Sequence, residues 1–169
     1  MAMQESGGGR VLVGADNSPA AMAAVRWAAA EARLRSMRLH VVHVEDQYAV
    51  EPAACYAPPS SGQRSANRTA RQAGLTALIR DAVGPDGWAA VQLEFAEGLP
   101  VRVLVDRAVG ATMLILGSTR PSGMPSTLVG KPRAPLGPVA RDCLRAAPCP
   151  VVIVAHRSGQ PEAEPVPAG

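Results

Sequence analysis

Residues 11–22 read VLVGADNSPAAM, and this stretch predicts the first strand and the start of the first helix. The run Val11–Ala15 is apolar on both faces and rich in β-branched side chains, which is typical of a strand buried in a parallel sheet. Ser18 is a favourable N-cap and Pro19 a favourable first helical residue, so a helix is predicted to begin directly after the strand. A buried strand followed at once by a helix indicates an α/β protein.

The rest of the chain repeats this alternation of apolar runs and helical periodicity. The predicted segments are a helix over residues 20–36, a strand at Leu39–Val44, a loop at Tyr48–Gln63, a helix at Ser65–Val83, a strand at Trp88–Ala96, a helix at Leu99–Val109, a strand over residues 111–118, a helix over residues 139–147 and a strand at Cys149–Ala155. Strands alternating with helices favour a doubly wound α/β fold, with a five-stranded parallel sheet and helices on both faces. Right-handed crossovers favour the strand order 3-2-1-4-5.

Length and composition favour one domain and argue against several classes of partner. We expect one domain over residues 10–155, between disordered tails at residues 1–9 and 156–169. No run of 18 apolar residues occurs, which argues against a membrane partner. The net charge of +3 comes from scattered arginines and aromatic residues make up only 3%, so no nucleic-acid partner is expected. The three cysteines, Cys55, Cys143 and Cys149, have no paired spacing, which favours reduced thiols and a cytoplasmic location.

Polar residues follow the first and fourth strands, which the predicted order makes neighbours where the winding of the sheet reverses. These strand ends are residues 16–18 and residues 117–119. Ligands of doubly wound sheets bind beyond the carboxyl ends of the strands at such a point, so a ligand site is predicted here. The Asp16 carboxylate has two interpretations that the residues alone leave open. It accepts hydrogen bonds from an amine or a ribose hydroxyl of a ligand, or it helps Ser18 to cap the following helix.

Residues 117–138 read GSTRPSGMPSTLVGKPRAPLGP and form a Gly- and Ser-rich loop after the fourth predicted strand. The chain has no GxxxxGK[ST] motif, and no GxGxxG follows the first strand. Arg120, Lys131 and Arg133 are candidate phosphate partners within the loop. Its five prolines have no amide hydrogen to donate, and Pro138 stands at a predicted helix start, where an anion would normally be held.

The histidines do not indicate a metal site. His40 and His43 lie on opposite faces of the second predicted strand, so they cannot bind one metal ion together. We expect them to be hydrogen-bonded residues of the core or its rim. The sequence has no HExxH or CxxC motif and no paired carboxylates, so neither metal hydrolysis nor glycosidase chemistry is indicated.

Taken together, four segments resemble the universal stress protein family. They are VLVGADNSPAAMAAVRWAAAEA, LHVVHV, LILGS and GPVARDCLRAAPCPVVIV, and the resemblance covers residues 10–155. It implies a five-stranded doubly wound fold of the adenine nucleotide alpha hydrolase-like type. It also implies a homodimer formed through the last strand, Val151 to Ala155, and membership of either an ATP-binding or a non-binding branch.

In the binding branch, an aspartate after the first strand and a valine ending the second hold the adenosine, and Asp16 and Val44 match these positions. The family's phosphate and ribose loop has the form G-x2-G-x9-G-[ST]. Its first glycine matches Gly117, but Arg120 stands in place of the second.

The remaining loop positions also depart from the family pattern. The third glycine matches Gly137, which lies twenty residues after Gly117 where the pattern needs thirteen, and Pro138 replaces the hydroxyl residue. These departures argue against ATP binding in the usual pose.

We therefore expect a non-catalytic stress-response module that binds or regulates and forms a homodimer. The alternative is an ATP-binding universal stress protein that uses Asp16, Val44 and the loop of residues 117–138, with slow hydrolysis and no metal beyond nucleotide-associated magnesium. A flavin carrier is disfavoured, because no phosphate loop follows the first strand and aromatic residues are few. The candidate ligand-binding residues are Ala15, Asp16, Asn17, Ser18, Val44, Gly117, Ser118, Arg120, Gly137 and Pro138.

Overall fold

The computed structural model describes residues 8–46, 61–120 and 136–157. Strands and helices alternate through these residues, in the order β1 (Arg10–Gly14), α1 (Pro19–Leu34), β2 (Arg38–Glu45), α2 (Ser61–Val83), α3 (Pro85–Trp88), β3 (Val91–Glu97), α4 (Pro100–Ala108), β4 (Met113–Arg120), α5 (Pro138–Ala146) and β5 (Val151–Arg157). The five strands form one sheet in the order β3-β2-β1-β4-β5, and every pairing is parallel. The predicted fold class and strand order are confirmed.

The opening stretch folds as its residues predict. Val11, Leu12 and Val13 are fully buried in β1 at the centre of the sheet. Ser18 caps α1, because its Oγ accepts the amide hydrogen of Ala21 at 3.1 Å, and Pro19 occupies the first turn. The alanine-rich face of α1 then packs closely against the sheet, with Ala24, Val25 and Ala28 fully buried among others.

Two hydrophobic cores lie on the two faces of the sheet. One contains α1 and α2, with Val25, Leu75 and Ile79 packed against the odd-numbered residues of β1 and β4. The other contains α4 and α5, with Leu104 and Cys143 packed against the even-numbered residues of the same strands. Helices on both faces are the layered arrangement that a parallel sheet requires, because both of its faces are apolar.

The two strand histidines lie on opposite faces, as predicted. His40 is buried on the α4 side, where its Nε2 lies 2.9 Å from Glu94 Oε2. His43 lies on the other side, edge-on to Phe95 at a ring separation of 5.8 Å. Each ring has a protein partner, and so neither is a bare surface histidine.

Several boundaries differ from the predicted ones. Trp88 was predicted to begin a strand, but it ends the short helix α3, which follows the positive-φ residue Gly84. The Trp88 ring instead packs on the α2 side, with the Arg80 guanidinium 4.8 Å from its centre. Helix α2 begins at Ser61, four residues before the predicted start. The prediction missed the first turn because residues 61–64 are polar and show no apolar periodicity.

Strands β4 and β5 have the predicted lengths of eight and seven residues, but each begins and ends two residues later than predicted. Their ladder continues through Thr119↔His156 and Arg120↔Arg157, because each added residue gains a partner on the neighbouring strand. The first residues of the predicted loop therefore belong to β4, and His156 and Arg157 belong to the sheet and not to the predicted tail. Residues 1–7, 47–60, 121–135 and 158–169 lie outside the described residues, and with them most of both predicted tails and of the predicted loop Tyr48–Gln63. Within the described part of the chain, no helix is both long and apolar enough to span a membrane.

Candidate functional site

Three helices begin at the edge where β1, β2 and β4 end, and each has a proline in its first turn. They are α1 at Pro19, α4 at Pro100 and α5 at Pro138. Between them lies a cleft of about 310 Å³ at the point where the winding of the sheet reverses. It is lined by Gly14, Ala15, Asp16, Ser18, Ala21, Val42, Val44, Pro100, Leu104, Leu116, Gly117, Gly137, Pro138, Val139 and Ala140.

The β1 side of the cleft is held by hydrogen bonds within the chain. Asp16 is exposed, and its Oδ1 accepts the amide hydrogen of Ser18 at 2.8 Å. Ser18 in turn caps α1, so the two interpretations of Asp16 are compatible. One carboxylate oxygen shapes the turn, and the side chain still lines the cleft.

The β2 side contributes a second hydrogen bond to the same turn. His43 Nδ1 lies 2.9 Å from the carbonyl oxygen of Ala15, which can only accept, so Nδ1 carries the proton. The Ala15 amide donates to the Val42 carbonyl oxygen, also at 2.9 Å. Both backbone groups of Ala15, the residue directly before Asp16, are therefore fixed by β2.

Gly117 is required by packing between β4 and α1. A Cβ atom at this position would lie 2.4 Å from the carbonyl oxygen of Ala20 and 2.7 Å from the amide nitrogen of Ala21. Both contacts are to backbone at the start of α1, which cannot move aside as a flexible side chain could. The first glycine of the family pattern thus has a structural role in this chain, besides lining the cleft.

Gly137 and Pro138 form the opposite side of the cleft at the start of α5. Gly137 is the N-cap of the helix, and no side chain caps it. A Cβ atom at Gly137 would meet nothing within 4 Å, and its φ of −57° is open to any residue, so neither space nor backbone geometry requires glycine. Pro138 has no amide hydrogen, so the first helical residue offers no donor to a ligand.

The cleft is mainly apolar, with polar groups concentrated at one end. Valine, leucine, alanine and proline side chains make up most of the lining, and Asp16 is the one carboxylate among its described residues. The volume lies at the lower end of the range of about 300–1,000 Å³ for small-ligand sites. Such a cleft suits a flat, partly apolar ligand that presents a hydrogen-bond donor to Asp16.

Most predicted site residues meet around the cleft, and three do not line it. Asn17 is exposed and lines a neighbouring cleft. Ser118 is buried on β4, and its hydroxyl has no hydrogen-bond partner among the described residues. Arg120 lies in β4, paired with Arg157. The predicted phosphate partners in residues 121–135 lie outside the described residues.

The sequence reasoning missed the contribution of α4. Pro100 and Leu104 line the cleft from the first two turns of this helix. The dipeptide Leu99-Pro100 after β3 signals a helix that starts at the same edge, and this signal was available in the sequence. Leu116 and Val42 also line the cleft, because residues that alternate along a strand share a face.

A second, more polar cleft of about 490 Å³ adjoins the first on the α2 side, and Asp16, Ser18 and Val44 line both. Arg68 of α2 spans two carboxylates there, with its Nε 3.0 Å from Glu45 Oε2 and its NH2 group against Glu97. In residues 8–46, 61–120 and 136–157, no three His, Cys, Asp or Glu side chains are grouped to hold a metal ion.

The two described cysteines are not activated thiols. Burial raises the pKa of Cys143 to about 11, and burial also raises the pKa of Cys149. A nucleophilic or redox-active cysteine would need the opposite shift, towards the thiolate.

Sequence comparison identifies the family to which this arrangement belongs. The model of the universal stress protein family matches residues 9–155. The chain belongs to the universal stress protein family.

Curated relatives come from mycobacteria. The universal stress protein Rv2623 of Mycobacterium tuberculosis is 32% identical over 146 residues, which are 85% of this chain and 46% of that protein. The universal stress protein Mb2028c of Mycobacterium bovis is 33% identical over 147 residues, 85% of this chain and 47% of that one. The chain spans about half the length of the curated relatives it matches.

Solved structures of universal stress proteins share the fold. UspA from Lactobacillus plantarum superposes with a TM-score of 0.61 at 21% identity, covering 86% of this chain and 97% of that chain. The protein from Archaeoglobus fulgidus in complex with dAMP gives a TM-score of 0.56 at 21% identity, over 86% and 96% of the two chains. A universal stress protein in complex with cAMP gives 0.52 at 21% identity, over 86% and 95%.

Proposed function

We propose that the protein is a non-catalytic binding module that takes an adenine mononucleotide in the cleft between α1, α4 and α5. The observation that carries this proposal is the position and lining of the cleft. It lies at the switch point of the sheet, with Asp16 and Val44 on one side and Gly137 on the other. Similar universal stress proteins have been solved with dAMP and with cAMP, which supports a nucleotide with one phosphate.

The nucleoside part of the ligand is expected to supply most of the affinity. Asp16 accepts hydrogen bonds from the nucleoside, and the apolar residues Val44 and Leu104 contact its flat faces. The phosphate meets the start of α5, where Pro138 offers no amide hydrogen. Because the described lining contains no lysine or arginine, a second and third phosphate are expected to add little.

Binding without turnover is the form of activity that the lining supports. Of the described residues around the cleft, Asp16 alone is titratable, and one of its oxygens already accepts from Ser18. General acid–base or nucleophilic catalysis needs a second positioned group with a matched pKa. The proposed role is regulation by nucleotide occupancy in a cytoplasmic stress response.

Titration calorimetry with AMP, cAMP and ATP–magnesium tests the proposal. We expect AMP to bind, ATP to bind within about threefold of AMP, and Asp16→Asn to weaken AMP by about tenfold, because a charged acceptor is replaced by a neutral one. The amide oxygen of the variant still accepts from Ser18, so the turn is kept. No binding of any nucleotide would refute the proposal. Much tighter, magnesium-dependent binding of ATP would favour the ATP-binding alternative, with phosphate ligands from residues 121–135.

We further propose a homodimer through β5, Val151 to Ala155. β5 is the terminal strand of the sheet; within one chain Val151 to Val154 are only half-buried, and Ala155 is exposed. The Pro150 carbonyl accepts from the Leu114 amide, so by alternation the backbone groups of Ala155 face outward. Sedimentation equilibrium should give a dimer for the wild type and for Ala155→Ser, and a monomer for Ala155→Pro, which removes an outward amide hydrogen. A monomeric wild type at micromolar concentration would contradict the interface.

A further inference from the structure

A side chain on the far side of the sheet from the cleft fixes the turn that carries Asp16. β1 ends at Gly14, so Ala15 is the first residue beyond the strand. Its amide still bonds to the Val42 carbonyl, but its carbonyl oxygen accepts from the His43 ring and not from a strand amide. The imidazole therefore takes the place of a backbone donor where the regular ladder stops.

The orientation of the His43 ring is itself determined by its surroundings. The ring meets Phe95 edge to face, with an interplanar angle of 69°, and its Nδ1 points at the Ala15 oxygen. Ala15 is only 7% exposed, so its carbonyl has little access to water and depends on this donor. A buried carbonyl that loses its partner is free to rotate towards a new one, and the peptide to which it belongs rotates with it.

The peptide held by His43 is the one that joins Ala15 to Asp16. Its orientation sets the direction in which the Asp16 side chain leaves the backbone. Asp16 then accepts from the Ser18 amide, and Ser18 caps α1. A continuous path of three hydrogen bonds thus leads from the His43 ring to the first turn of α1.

We propose that His43 is a positioning residue of the nucleotide site, which holds the Ala15–Asp16 peptide so that the Asp16 carboxylate faces the ligand. This inference rests on the proposed function, because the ligand it serves is the nucleotide. His43 itself does not line the cleft between α1, α4 and α5. It acts through the backbone of Ala15, and its contribution is the geometry of Asp16.

Three variants test this role. His43→Asn keeps an amide nitrogen near the position of Nδ1, and His43→Leu fills similar space without a donor. His40→Leu is the matched control, because His40 lies on the same strand but on the opposite face, bonded to Glu94. We expect His43→Leu to raise the Kd for AMP about tenfold, since it leaves the Ala15 carbonyl unpaired, and the other two to stay within about twofold of wild type.

A second readout follows the turn without any ligand. The NMR shift of the Ser18 amide reports its bond to Asp16, so it should move in His43→Leu and stay in place in His43→Asn and His40→Leu. Long-range ¹⁵N spectra of the wild type should show the proton of His43 on Nδ1. A proton on Nε2 alone, or equal effects of His43→Leu and His43→Asn, would overturn the proposal.

The experiments distinguish a failure of nucleotide binding from a failure of the positioning role of His43. If the wild-type protein binds no nucleotide, the proposed function is wrong, and the Ser18 amide shift alone then decides whether His43 positions Asp16. A Ser18 amide that is unchanged in folded His43→Leu would reject the positioning role, and so would an unchanged AMP affinity. If His43→Leu does not fold, the tautomer of the wild type and the affinity of His43→Asn remain as tests.

Discussion

Helices α1 and α5 both begin at the cleft with a proline, but only α1 has a side-chain cap. At α1, Pro19 follows Ser18, whose hydroxyl accepts from Ala21, and Asp16 accepts from the Ser18 amide. At α5, Pro138 follows Gly137, and no side chain caps the helix. The start of α1 thus has a side-chain cap, and the start of α5 has none.

The difference distinguishes two roles, folding and ligand binding, which the glycines of the family's sequence pattern do not tell apart. The residues around α1 are needed for folding even where they also line the cleft, since β4 packs on this turn through Gly117. Gly137 and Pro138 at the start of α5 are exposed and have no such packing role, so the effects of changing them should appear in ligand binding.

Gly117→Ala should destabilise the protein strongly. The new Cβ would lie 2.4 Å from the Ala20 carbonyl oxygen, so β4 and α1 must move apart. Overpacking of this kind costs about 3 kcal/mol of unfolding free energy. Urea denaturation measures it, and Gly137→Ala is the control, because its Cβ meets nothing within 4 Å. Similar losses in the two variants would contradict the distinction between the glycines.

Ser18→Ala should lower the free energy of unfolding by about 1 kcal/mol, the usual cost of losing an N-cap hydroxyl. The opposite change at α5, Gly137→Ser, should raise the free energy of unfolding by about 0.3 kcal/mol, because it supplies the side-chain cap that α5 lacks. Denaturation of both variants under one set of conditions provides the comparison. If the two changes had the same sign, the two helix starts would not differ as described.

Pro138→Ser should increase the affinity for AMP by about threefold, with little change in stability. The substitution restores an amide hydrogen and a hydroxyl at the start of α5, where the phosphate is expected. Calorimetry with AMP measures the gain, and adenosine, which has no phosphate, is the control ligand. An equal gain for adenosine would mean that the phosphate does not lie at α5.

The smallest effect concerns α4, the third helix that begins at the cleft, which is held at its other end by a charged cluster. Arg107 bonds to Glu94 at 2.7 Å, and Glu94 bonds to His40. Burial lowers the pKa of His40 below its ordinary 6.5, although Glu94 opposes the shift, and Arg107 lowers the pKa of Glu94.

The unfolded chain therefore binds more protons than the folded one, and stability is lost as pH falls below about 6.5. Between pH 7.5 and 5, the unfolding free energy of the wild type should fall slightly more than that of His40→Leu. Denaturant titrations at several pH values measure this difference. Parallel pH profiles would show that His40 does not contribute.

The fold could be predicted because its signals are local. Apolar β-branched runs mark the buried strands, and Ser18 with Pro19 marks the start of α1. The missed features depend on partners that the sequence does not specify. β4 extends to Arg120 only because β5 is there to pair with it, and Trp88 leaves the predicted strand because its ring packs on the α2 side.

The candidate site also contains residues that the sequence could predict and a contact that it could not. Asp16 and Gly117 could be placed at the cleft because the predicted strand order makes the first and fourth strands neighbours at the switch point, with Asp16 just after β1 and Gly117 in the second half of β4. The contact from His43 to Ala15 could not, because it depends on the register between β1 and β2, in which Gly14 pairs with Val42.

The proposed roles of the site residues all depend on occupancy of the cleft between α1, α4 and α5 by an adenine mononucleotide. An NMR titration of the ¹⁵N-labelled protein with AMP tests it most directly, because each amide reports its own surroundings. Saturable shifts are expected for the amides of Asp16, Val44, Gly117 and Gly137, which lie around the cleft. Absence of shifts at millimolar AMP, or shifts confined to residues outside the cleft, would contradict it.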